Sequence, residues 1–156
     1  MDPQSGVVIA VDPGKVSGWA VFVDGQLHAA GSFDGDFHPY LGKTPVPQYR
    51  GPIHLVVELP HQGAGKADKG DIIRLSVRAG MVIAAMGYPE RTEIPANEWK
   101  GTVPKDMHGR RILDALLVPE RLVLDRAGFL KNHNVIDAVG LGLWKLRRMQ
   151  RGGGGA

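Results

Sequence analysis

Three acids in this chain stand at the ends of apolar segments, where a carboxylate is costly unless something compensates it. Asp12 closes the run GVVIAV of residues 6–11 and precedes a Pro13-Gly14 turn, Glu58 closes HLVVE just ahead of Pro60, and Asp137 lies among Val135, Ile136, Ala138 and Val139. A carboxylate at the edge of a buried segment needs solvent or a positive partner. If the three segments pack together, the acids repel one another and their pKa values rise unless a cation sits among them. Hard divalent ions fit that need: magnesium selects carboxylate oxygen, and two ions about 3.5 to 4 Å apart can clamp an in-line phosphoryl displacement. The chain has no cysteine, so a metal must be held by carboxylate, imidazole or amide oxygen. His133 and Asn134 lie four and three residues before Asp137, so either shares its face of a helix. The histidine is a candidate ligand or general acid–base group. Taken singly, Asp12 is as readily a turn aspartate capping amides, and His133 a surface residue at a helix start; the three acids together favour a metal site.

The elements that must position these acids follow from the apolar pattern. Residues 6–11 form a β-branched strand covered on both faces. Trp19 to Val23 and Leu27 to Phe33 are two further strands joined by Asp24-Gly25, a strong hairpin signal. Residues 34–52 show neither period and read as a surface connection; Ile53 to Glu58 is the fourth strand. After a Gly/Lys-rich loop over His61 to Gly70, Asp71 to Met86 has the length of a helix with Asp71 at its N-cap. Its second half, Met81 to Met86, is apolar almost all round, which predicts deep burial or a partner, and a homodimer contact in particular. Thr92 to Ile94 is a short fifth strand, His108 to Leu117 a helix, and Asn134 to Met149 a last amphipathic helix burying Ile136, Val139, Leu143 and Leu146. Trp99 and Trp144 adjoin apolar positions and read as core. The order is three strands, helix, strand, helices.

The chain of 156 residues, 43% hydrophobic and 22% charged, suits one domain with a real core and is too short for two. Residues 1–150 read as that domain and 151–156 as a glycine-rich tail with no part in the fold. The longest apolar stretch, Ala79 to Gly87, falls far short of the roughly 20 residues of a bilayer helix. The first residues lack the pattern of a secretory signal, which gives an intracellular, cytoplasmic location as the expectation. A net charge of +3 admits nucleic acid without requiring it. Lys66, Lys69, Arg74 and Arg78 gather in one segment, and Lys145, Arg147, Arg148 and Arg151 crowd the C-terminus. Each cluster suits a solvated face as well as a phosphate-binding one.

These segments resemble the RuvC family of Holliday-junction resolvases, within the RNase H-like nucleases. VIAVDPGKVSGWAVF (8–22) is similar to that family's opening strand and hairpin, with Asp12 at its first acid. LVVELPH (55–61) matches the second acid at Glu58, IPANEWKGTVPK (94–105) resembles the segment before the penultimate helices, and HNVIDAVGLGLW (133–144) resembles the helix carrying the last acids. The resemblance implies an α/β, RNase H-like fold: a mixed central sheet, its first three strands antiparallel, flanked by helices. It implies that Asp12, Glu58, Asp137 and His133 hold two Mg2+ ions, with Mn2+ as a substitute, and that a homodimer cuts four-way junctions symmetrically to leave 5′ phosphate and 3′ hydroxyl. Lys66, Lys69, Arg74 and Arg78 would then grip phosphates beside the site. Two features depart from the pattern. The family's paired ligand stands three residues before the final aspartate, where this chain has Asn134, and the loop after the glutamate strand lacks the aromatic residue of relatives. A nuclease acting on RNA or RNA/DNA and a junction-binding protein with a degenerate site are the alternative readings. An actin-like phosphotransferase needs a second subdomain for which the chain has no room.

Overall fold

The computed structural model describes residues 6–34, 51–60, 69–86 and 90–152. Five strands, β1 (Val7–Asp12), β2 (Val16–Val23), β3 (Gln26–Asp34), β4 (Ile53–Leu59) and β5 (Glu90–Pro95), form one sheet in the order β3-β2-β1-β4-β5. The first three strands pair antiparallel, while β4 lies parallel to β1, and β5 parallel to β4. The Asp24-Gly25 turn closes the β2–β3 hairpin with both residues at positive φ, 49° and 81°, a backbone whose twist matches that of the strands it joins.

Because side chains alternate across a strand, β1 and β4 feed two cores. Val7, Ile9, Val11, Leu55 and Val57 face α1 (Lys69–Met86), packing on Ala79 and Val82. Val8, Ala10 and Val56 face the other way, with Ile94, onto Val135, Ala138, Val139 and Leu141 of α5 (His133–Gly152). The result is a sheet sandwiched between helices, as expected of a strand apolar on both faces. Between β5 and α5 run α2 (Ala96–Lys100), α3 (Lys105–Ala115) and α4 (Val118–Arg126). Glu120, a buried acid, ties α4 to the sheet. Its carboxylate accepts the Leu27 amide at 2.7 Å and the Leu117 amide at 2.8 Å, so the burial of its charge is compensated by two donors.

Several boundaries differ from the sequence reading. α1 begins at Lys69, so Asp71 is not the N-cap but a first-turn residue, where it still complements the helix dipole and pairs with Arg74. The last helix continues through Arg151 to Gly152, taking two residues from the expected tail. The side chains of α1 part between the sheet and the outside. Val82 is buried against the sheet, whereas Ile73, Val77 and Met81 are 63%, 56% and 42% exposed and, four residues apart, line one outer stripe. Among the described residues no helix is long and apolar enough to cross a membrane.

Candidate active site

The alternation that builds the two cores also aims the acids. Continuing from Val8 and Ala10, Asp12 falls on the α5 face of β1, and continuing from Val56, Glu58 falls on the same face of β4. Both stand at the carboxyl ends of adjacent parallel strands, a position where α/β sheets open a crevice. Asp137 comes to them from the second turn of α5. Gly18 permits that approach: it lies opposite Asp12 on β2, and a Cβ there would stand 1.9 Å from the Asn134 carbonyl oxygen. Any side chain at 18 would push the start of α5 away. The Pro13-Gly14 turn is held from both sides, by Ser17 Oγ accepting from the Gly14 amide at 3.2 Å and by the Arg78 guanidinium donating to the carbonyls of Gly14 and Lys15.

The acids converge on one cation, the ammonium of Lys100 at the end of α2. Its Nζ lies 3.0 Å from Glu58 Oε2 and 2.9 Å from Asp137 Oδ2. Glu58 also accepts the Trp99 indole N–H at 2.7 Å, and Lys100 stands 4.9 Å over the Trp99 ring. Burial raises the Asp12 carboxyl well above its usual range, Glu58 and Asp137 push it further, and Lys100 and Lys105 only partly offset them. Glu58 is raised by burial as well, against the pull of Lys100 and the Trp99 hydrogen bond. For Lys100 burial works to lower the pKa, but the three carboxylates outweigh it and hold the group above its usual value. The cluster is thus a site with more negative charge than its own lysine satisfies.

His108 was not foreseen. It packs from α3 against Asp137, Nε2 to Oδ1 at 4.0 Å, and its ring meets Trp99 with centroids 5.0 Å apart. Its Nε2 is buried without a hydrogen-bond partner, and burial lowers its pKa, the Asp137 charge notwithstanding. His133 is the first residue of α5, exposed, one turn ahead of Asp137, and Asn134 is half-buried beside Gly18. Trp99 and Trp144 do pack against the core, as partly exposed residues. Of the basic segment, Lys69 and Arg74 are exposed, Arg74 paired with Asp71, and Arg78 is committed to the turn after Asp12. Lys66 lies outside the described residues.

Among the described residues no group of three or more His, Asp or Glu side chains is drawn close enough to hold an ion; Lys100 stands between Glu58 and Asp137. The three acids are nonetheless donors of the kind a hard cation selects: partly desolvated carboxylates, only partly compensated by the one ammonium in their midst.

No protein-family model matches the sequence, and no curated protein matches it. Solved structures do. Thermus thermophilus RuvC in complex with Holliday junction substrate superposes with a TM-score of 0.57 at 16% identity, over 92% of this chain and 97% of that one. A second structure of Thermus thermophilus RuvC gives 0.56 at 16%, over 95% and 96%. The fowlpox virus resolvase in complex with Holliday junction DNA gives 0.53 at 14%, over 92% and 98%. Each superposition spans more than nine-tenths of both chains. This chain has the RNase H-like fold as it occurs in RuvC.

Proposed function

We propose that this protein is a metal-dependent endonuclease that cuts four-way DNA junctions as a homodimer. The observation that carries the reading is the convergence of Asp12, Glu58 and Asp137, from two parallel strand ends and the facing helix, around Lys100. That the superposable RuvC and fowlpox virus structures are complexes with Holliday junctions supports junction DNA as the substrate.

In this reading Asp12, Glu58 and Asp137 hold two Mg2+ ions, and His133, exposed one turn ahead of Asp137, completes the set at the rim. When bound, the ions supply an activated water and neutralise charge on the phosphate and on the leaving 3′ oxygen. The chain's own residues set the stage for this. Trp99 fixes Glu58 through its indole N–H, His108 packs behind Asp137, and the braced Pro13-Gly14 turn keeps Asp12 rigid. Lys100 and Lys105 face the cluster and stand ready to meet phosphate oxygens once the carboxylates turn to metal. The outer stripe of α1, Ile73, Val77 and Met81, is the surface on which a second copy docks, since scattered exposed apolar residues need no explanation but an aligned stripe does. Two copies would present two sites to a two-fold substrate. Lys69 and Arg74, exposed in the first turns of the same helix, supply phosphate contacts, and Lys66 is assigned the same role.

The test is cleavage of end-labelled four-way junction, duplex and RNA/DNA hybrid in Mg2+. Symmetric cuts in the junction, with the duplex spared, are expected. Preference for the hybrid would transfer the protein to an RNA-directed activity on the same fold, and junction binding without cutting would make it a binding module.

A further inference from the structure

Between α3 and α5, lined by Lys100 and His108 but not by Asp137, lies a cavity of about 240 Å³. Its walls include the indoles of Trp99 and Trp144, with Ile112 and Leu143, and its cationic residues are Lys100, Arg111 and Arg147; among the described residues no carboxylate lines it. Gly140 makes room for its floor: a Cβ there would stand 2.4 Å from Ile112 Cδ1 and 2.9 Å from Trp99 Cζ3. Arg111 and Arg147 are exposed and have no ion-pair partner among the described residues. Each indole already has a cation over its ring, Lys100 on Trp99 and Arg148 on Trp144, both at 4.9 Å, so each offers a ligand at most its other face, and with its cationic rim the cavity selects a flat, unsaturated group that carries negative charge. The volume lies below the roughly 300 Å³ at which pockets for drug-sized ligands begin, so it suits one base and not a base pair.

We propose that this cavity receives one unpaired nucleotide of the strand being cut, its base against Trp99 and Trp144 and its phosphate on Arg111 and Arg147. The inference rests on the nuclease reading and deepens it. A nucleotide can enter only if it leaves its stack, which costs least where pairing is already broken. Intact duplex pays the full unstacking cost and the centre of a branched substrate pays little, so the cavity contributes to selectivity for branches. Trp99 serves both places, forming the cavity wall with its ring and holding Glu58 with its N–H, so base capture and the setting of a catalytic acid depend on one side chain.

The experiment uses fluorescein-labelled tetrathymidylate and the same oligomer with abasic residues, titrated by anisotropy into the full chain without metal. Wild type is expected to prefer the base-bearing oligomer by about tenfold, within the range of base–aromatic stacking, and Trp144→Leu to abolish that preference. Arg147→Glu should weaken both oligomers, and by several-fold more than Arg151→Glu, an equal charge change on the same helix outside the cavity. Thermal melts establish that each variant folds, and the exposed Arg147 keeps the test open should Trp144→Leu not. Equal affinity of wild type for the two oligomers, an intact preference in Trp144→Leu, equal effects of the two arginine changes, or no binding at all would overturn the proposal. Junction cleavage is assayed in parallel. Junction cutting without a base preference removes the cavity and leaves the nuclease; a base preference without junction cutting keeps the cavity and removes the junction resolvase.

Discussion

Asp12 and Glu58 are buried where ionisation is opposed, and this has consequences for stability before any metal enters. Asp12 is raised by burial and by the charges of Glu58 and Asp137, and Glu58 by burial and by Asp137. A group whose pKa is higher folded than unfolded stabilises the fold below the unfolded value, and that contribution is lost as pH rises through the folded value. The metal-free protein should therefore gain stability from these two groups on mild acidification from neutrality. His108, whose pKa is lowered, acts in the opposite sense as pH falls below its ordinary 6.5. The informative quantity is thus the difference between wild type and Asp12→Asn. The variant should melt higher at neutral pH without metal, and its advantage should shrink towards pH 5; an equal or lower melting temperature at neutral pH would show that Asp12 is not strained. Lys100 is the counterpart. Removing one member of a buried ion pair leaves charge uncompensated at a cost of about 3 kcal/mol, so Lys100→Met should melt well below wild type, and millimolar Mg2+ should restore more of its stability than it adds to wild type. A magnesium effect equal in both proteins would mean that lysine and metal do not share a place. The acids were legible in the sequence because a carboxylate closing an apolar run demands an explanation. Lys100 and His108 were not, because nothing local marks them: Lys100 meets Glu58 across 42 positions, and an exposed-looking α2–α3 segment gives no hint of it. Trp99 was legible as a packed residue but not as the donor to Glu58.

The elements followed the pattern where the pattern was long. The Asp-Gly hairpin, the doubly covered β1 and β4, and the two long helices all carry their period in the residues themselves. α2 has five residues, too few to show one. α4 begins Val118-Pro119, and a proline reads as a breaker unless it falls in the first turn, where its missing N–H costs nothing. Position 18 shows how elements rather than residues set the site. A serine–glycine–tryptophan strand looks unremarkable, yet only hydrogen at Gly18 lets the α5 backbone descend to the sheet and bring Asp137 to Asp12. Gly18→Ala should cost at least the roughly 1–3 kcal/mol of overpacking and depress cleavage even at temperatures where the variant is fully folded by circular dichroism. Full activity in a folded Gly18→Ala would show that the seating of α5 does not control the site.

For the molecule as a whole, the α1 stripe is an apolar helix face left uncovered among the described residues, as are Leu117, Val118 and Leu122 at α4, and the α1 stripe is the one assigned to a second copy. Val77→Glu places charges in the middle of the α1 stripe without touching either core. It should shift sedimentation from dimer to monomer at micromolar concentration and uncouple the two cuts in a junction, leaving nicked intermediates; a wild type that sediments as a monomer would refute the assignment. The central claim is that the three acids form a metal-dependent hydrolytic site. Its most direct test is the single-turnover cutting and the binding of one labelled four-way junction by wild type and by Asp12→Asn, in Mg2+ and in EDTA. Wild type is expected to cut only with Mg2+, and Asp12→Asn to bind the junction as tightly but cut at least about a hundredfold more slowly. Undiminished cutting by Asp12→Asn, or cutting by wild type in EDTA, would contradict it.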